Sequence, residues 1–140
     1  MATNIDPIFT GTAVSPFGAA VTAANTAADG TGTVTTIFTA DATNGGFVGL
    51  IKLKPLGTNV ASVARFFVNN GSTNAFATNN VLIGEITLPA TTVSQTAALI
   101  ELGYLVNQGI QSGYKINMTI GTAVAAGWIA SVDAGSYTKG

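Results

Sequence analysis

The side chains able to do chemistry in this chain are few and scattered. There is no histidine and no cysteine, and there are five cations and six carboxylates in 140 residues. The carboxylates are Asp6, Asp29, Asp41, Glu85, Glu101 and Asp133; the cations are Lys52, Lys54, Arg65, Lys115 and Lys139. Without imidazole or thiol, neither a Ser–His nor a Cys–His nucleophile pair can be built. The same absence excludes a transition-metal site based on nitrogen or sulfur. Two chemistries survive on residue type alone. Glu85 and Glu101 are the carboxylate pair a glycosidase would need, about 5–9.5 Å apart. Asp29, Asp41 and Asp133 are oxygen donors of the kind that hold calcium, but no EF-hand-like spacing joins them. Simpler roles exist for all five: turn formation for the aspartates, strand-edge positions or pairing with Lys or Arg65 for the glutamates. Gly30, Gly32 and Gly45–Gly46 are not a phosphate loop, because no Lys follows at the required spacing. The expectation is a protein without catalytic residues, cofactor or metal, and not an enzyme.

Two further features carry binding rather than reaction chemistry. Arg65 is the only arginine and stands among apolar residues. It is either an interface anchor, a role in which Arg is enriched, or the partner of Glu85 in an ion pair. Trp128, Tyr104, Tyr114 and Tyr137 are the rings from which a sugar platform would be made; as core or subunit-interface residues they need no ligand.

The elements that must position these groups follow from composition and pattern. Charged residues make up 8% of the chain against 47% hydrophobic, whereas an ordinary soluble domain is about 25% charged. The length suits one domain. No basic cluster exists to release counterions from DNA or RNA, so no nucleic-acid partner is expected. Mean hydropathy is +0.46, yet no apolar run approaches the roughly 20 residues of a spanning helix, and no membrane partner is expected. The first residues lack the basic and apolar regions of a secretory signal, which points to synthesis in a cytoplasm.

Thr, Val, Gly and Asn dominate, a vocabulary of strands and turns. Alternation predicts strands over residues 33–39, 47–54, 60–68, 81–88, 114–120 and 128–132. Asn44-Gly45 and Asn70-Gly71 mark hairpins. Residues 73–78 read as a short strand or loop, 91–102 as strand or helix, 105–113 as a loop crossing between layers, and 133–140 as a polar tail. Phe17, Ala20, Val21 and Ala24 have helical spacing, but their neighbours favour extended chain. The predicted fold is all-β: a single-domain, jelly-roll-like β-sandwich of about eight strands (29–140) preceded by an extended N-terminal arm and lead-in segment (1–28). In residues 60–68 both faces are apolar, as expected where one face packs the core and the other meets a neighbouring subunit.

Three stretches carry a resemblance. One is Ala24-Asn25-Thr26-Ala27-Ala28-Asp29-Gly30-Thr31-Gly32 with the strand after it. A second is the strand–turn–strand of residues 47–69, which runs into Asn69-Asn70-Gly71. The third is Gly109-Ile110-Gln111-Ser112-Gly113-Tyr114-Lys115-Ile116 with residues 121–137. Together they resemble the head decoration, or cement, proteins of tailed bacteriophages. The resemblance implies a virion protein on the head surface, often a homotrimer, that binds the major capsid protein and braces its subunits. It implies no catalytic residues. On this reading the partner contacts fall on Ile5, Ile8, Phe9 and Phe17 of the arm and on Arg65, Phe67 and Trp128 of the sandwich. A tail, baseplate or fibre-tip module that binds host glycans is the alternative.

Overall fold

A computed structural model describes residues 12–14 and 20–137. It contains eight strands: β1 (Thr12–Val14), β2 (Thr35–Thr39), β3 (Gly46–Pro55), β4 (Ser62–Asn69), β5 (Asn80–Leu88), β6 (Leu102–Ile110), β7 (Lys115–Ile120) and β8 (Trp128–Ser136). One short 3₁₀ turn, Ala77–Asn79, precedes β5. The strands form two four-stranded antiparallel sheets, ordered β1-β8-β3-β6 and β2-β7-β4-β5. The pairs β4–β5, β3–β6, β2–β7 and β1–β8 are nested, as in one long hairpin wound around a core. The chain is therefore an all-β sandwich.

Alternation explains which side chains fill it. Ala64 and Phe66 of β4, Ile116, Met118 and Ile120 of β7, and Trp128, Ala130 and Val132 of β8 are buried in one cluster. In β3 the buried set is Val48, Ile51 and Leu53 rather than Phe47, Gly49, Ile51 and Leu53. A register shift between Val48 and Leu50 exchanges the two faces at Gly49, which strict alternation cannot anticipate. The core also reaches back to Val21, whose backbone exchanges two hydrogen bonds with Trp128.

Two strands differ from the sequence expectation. Residues 102–110, read mostly as a crossing loop, are the edge strand β6. Gly103, Gly109 and the left-handed Asn107 (φ 48°) hid its alternation. Residues 91–101 are neither strand nor helix; Thr91 makes an isolated bridge to Asn59, and 92–98 are exposed. Strand β8 also runs on through Ser136 into the segment expected to be a polar tail. No helix forms among residues 20–28, where Val21 and Ala24 make isolated bridges to Trp128 and Ile120.

The sheet edges and faces are treated unequally. Strands β2, β5 and β6 each lie at an edge and each has a register irregularity, while β1 has only three residues. Such devices discourage edge-to-edge strand addition. At the β5/β6 edge Tyr104 joins the sheets. Its hydroxyl donates to the Ile83 carbonyl at 2.8 Å, and its ring lies 5.1 Å from that of Phe66. Gly84 makes room for that ring, since any β-carbon there would collide with it.

Part of the outer face of the β2-β7-β4-β5 sheet is crossed by the chain itself, while Leu82 and Glu85 of β5 stay exposed. The loop 25–34 leaves β7 where the Asn25 N–H donates to the Ile120 carbonyl, and returns as β2 beside Met118. Asn25 Nδ2 donates to the carbonyls of Thr31 and Thr33, Asn74 Nδ2 donates to those of Gly30 and Gly32, and Gly30 packs on Asn80 of β5. The loop thus spans the face from β7 to β5.

Candidate functional site

The structure places the expected contact residues in three ways. Ile5, Ile8, Phe9 and Phe17 lie outside the described residues. Arg65 is an intrachain partner: its Nε donates to Glu85 Oε1 at 2.7 Å from the position directly opposite on β5. Phe67 and Trp128 are corrected, since both are 0% exposed within one chain. Phe67 sits on the outer face of its sheet, opposite Asn117 on β7, with Asn117 and Thr119 also buried. Trp128 stands in the sandwich core. At Phe67 the second apolar face of residues 60–68 is therefore closed within one chain.

The described carboxylates have local roles. Among the described residues no group of three carboxylates could hold a metal ion. Asp29 and Asp41 hold turns. Asp29 Oδ1 accepts from the Thr31 hydroxyl and N–H; Asp41 Oδ1 accepts from the N–H groups of Asn44 and Thr43. These bonds favour the ionised form and hold both carboxyls below the usual Asp value of 3.8. A depressed folded-state pKa contributes stability that is full above the unfolded value and disappears as pH falls through the folded one. The melting temperature is accordingly expected to drop as pH is lowered below about 4. A double Asp29→Asn, Asp41→Asn variant should show a shallower drop in a pH series of thermal melts; an unchanged slope would remove these turns as the cause.

Two buried polar atoms on the outer face, Arg65 Nη1 and Thr119 Oγ1, have no partner among the described residues; the two residues are paired across β4 and β7. Thr119 also lines a cavity of about 130 Å³ with Thr22, Thr33 and Thr35. At roughly 30 Å³ per water, that volume suits a few waters and the threonine lining suits them too. Of the rings proposed for a sugar platform, Trp128 is buried, and Tyr104 spends its hydroxyl on Ile83.

The feature best suited to binding is one end of the sandwich. Three loops meet there: 55–61 between β3 and β4, 89–101 between β5 and β6, and 121–127 between β7 and β8. Buried Asn59 ties them together. Its Oδ1 accepts from the N–H groups of Ala126 (2.9 Å) and Gly127 (2.8 Å), and its Nδ2 donates to the Gly127 carbonyl (3.2 Å). Its backbone N–H and carbonyl pair with those of Thr91, and the Thr91 hydroxyl donates to the Gly57 carbonyl at 2.7 Å. Around this hub the large apolar residues Leu56, Val60, Val93 and Ile100 are 46% to 57% exposed. Residues 55–61, 89–100 and 121–127 contain no Asp, Glu, Lys or Arg. The result is a braced apolar platform, with exposed Glu101 at its margin beside Ile100. The sequence reading missed it, although the uninterrupted neutrality of those segments was visible; which loops share an end is set by the topology.

A second set of exposed apolar residues, Phe76, Val81 and Leu82, lies on the β4–β5 connection and the start of β5. Comparison of the chain with family models, with curated proteins and with solved structures finds no match in any of the three.

Proposed function

We propose that this chain is a non-enzymatic structural protein of a phage virion, made in the host cytoplasm, which binds the outside of the capsid and cements neighbouring major capsid subunits. The observation that carries the reading is the braced apolar platform around Asn59 on a chain with almost no charge. Patches of that kind on a soluble domain mark places covered by other proteins. A particle offers many identical sites, so modest contacts become strong occupancy. The nested strand pairing supports the jelly-roll form of the sandwich, and the resemblance of the turn and strand pattern to decoration proteins supports the head surface as location and a homotrimer as assembly. Neutral surface is also what subunit contacts retain, because charged residues are depleted at interface cores.

The test is to add purified protein to phage heads that lack it and to image the particles. Regular density on the outer capsid surface, with heads more resistant to heat or osmotic shock, is the expected outcome. A stable monomer with no affinity for heads overturns the proposal. The glycan-binding alternative needs exposed aromatic rings in a groove, and the burial of Trp128 gives it no support.

A further inference from the structure

The Asn59 platform has an apolar counterpart on the same molecule. We infer that it receives the opposite end of a second copy of this chain, where Phe76, Val81 and Leu82 are exposed, so that copies associate end to end. The two sets cannot meet within one molecule. The platform loops lie where β4 begins and where β5 and β7 end, whereas Phe76 lies in the connection where β4 ends and β5 begins. From Ser62 to Asn69 strand β4 keeps them about 23 Å apart at roughly 3.3 Å per residue. Phe76, Val81 and Leu82 are 65%, 63% and 42% exposed. The fold holds them there. The Asn79 N–H and Asn80 Nδ2 both donate to the Phe76 carbonyl, and Val81 and Leu82 pair with Val68 and Phe67 of β4. Both surfaces are formed before contact, so little ordering entropy opposes their union.

Apolar balance favours a second copy in this orientation. Head-to-tail contact withdraws both exposed sets from water, whereas platform-to-platform contact leaves Phe76, Val81 and Leu82 in it. The described charges also divide by end. Lys52, Lys54 and Glu101 lie in the half of the sandwich nearer the platform and sum to +1. Asp29, Asp41, Lys115 and Asp133 lie in the other half and sum to −2, while Arg65 and Glu85 cancel as a pair. Unlike ends attract and like ends repel, which sets orientation more than affinity. Register irregularities and the short β1 discourage strand addition, which leaves the ends as the route. An end four strands wide and two sheets thick offers about 400 Å², at about 4.8 Å per strand and about 10 Å between sheets plus their outer side chains. Two such ends bury about 800 Å², below the roughly 1,200 Å² of stable complexes. The contact is therefore weak singly. It is also heterologous, so it repeats in a ring or an open chain and gains strength by repetition. The inference concerns self-association and stands whether or not the assembled protein binds a capsid.

Sedimentation equilibrium on the full chain tests it. The wild type is expected to self-associate with a dissociation constant between about 10 μM and 1 mM. A platform variant, Val60→Glu with Val93→Glu, and an opposite-end variant, Phe76→Glu with Val81→Glu, should each weaken association by about tenfold or more. All four side chains are exposed, and unchanged far-UV circular dichroism and melting would show that both variants remain folded. An equimolar mixture keeps one intact platform and one intact opposite end, so it should form a one-to-one dimer that neither variant forms alone. Wild-type amide exchange gives the same reading without substitution: raising the concentration should protect both the platform loops and the 70–79 connection. A wild type that is monomeric up to about 1 mM, folded variants whose mixture stays monomeric, or protection at the platform alone, which marks platform-to-platform pairing, would each overturn the inference. End-to-end association without affinity for phage heads would support the inference and count against the proposed function.

Discussion

Replacing Asn59 by leucine is expected to destabilise the fold by about 3–5 kcal/mol, because it orphans buried backbone groups at about 1–3 kcal/mol each. The N–H groups of Ala126 and Gly127 both lose their acceptor, and the Gly127 carbonyl loses a donor. Leucine keeps the branching and heavy-atom count of asparagine but is bulkier, so part of the loss is overpacking and the nearly isosteric Asn59→Asp isolates the hydrogen bonds. A loss of that size is a large share of the 5–15 kcal/mol that holds a typical domain. Chemical denaturation gives the magnitude, and amide exchange gives the location: Thr91, Ala126 and Gly127 should exchange faster well before the core strands do. Asn59→Asp is the sharper control. The carboxylate keeps the acceptor role towards Ala126 and Gly127, but its second oxygen faces the Gly127 carbonyl. Burial and that carbonyl favour the protonated form, so the variant should be closest to wild type at low pH and lose stability as pH rises through its raised pKa. A midpoint within about 0.5 kcal/mol of wild type for Asn59→Leu would place the bracing of this end elsewhere.

The other large effect is expected at Trp128. Truncation to alanine should cost about 3–5 kcal/mol, the range for deleting a buried aromatic side chain. The indole is fully buried in the core, and its backbone holds Val21 on one side while β8 pairs with Pro55 of β3 on the other. The lead-in segment, β8 and β3 thus lean on one side chain. Among the described residues its Nε1 has no hydrogen-bond partner, and an unpaired buried donor carries a penalty of its own. Trp128→Phe removes that donor while keeping most of the apolar area, so it should cost far less than alanine, under about 1.5 kcal/mol. Equal losses for the two substitutions in denaturant titrations would mean that the indole nitrogen has a partner, such as a buried water.

These two residues also mark how far the sequence could be read. Trp128 was recognisable as core or interface from its place in an apolar alternating strand, and the strand exists. Asn59 gave no local signal. It lies in a Gly-Thr-Asn turn like many others, and its importance comes from Thr91 and Gly127, which are 32 and 68 residues away. The same distance effect hid β6: as an edge strand with two glycines and a left-handed asparagine, it is held by pairing with β3 rather than by its own pattern. Arg65 was legible to the point of a choice between an interface anchor and an ion pair with Glu85, and the register of β4 against β5 supplies the partner. Phe67 misled because a second apolar face was read as a subunit contact, whereas its burial is complete within one chain.

Residue types and local patterning fix the chemistry that is missing and the class of fold. Residue type alone settles that no imidazole or thiol can act here, and period-two alternation with Asn-Gly turns is a local property that imposes strands wherever it occurs. Which surfaces stay open is set by long-range packing. Burial depends on what lies against a strand from far along the chain: Phe67 is closed off within one chain, while the nested strand order gathers three loops with Glu101 as their one charge at one end and leaves Leu56, Val60, Val93 and Ile100 in water.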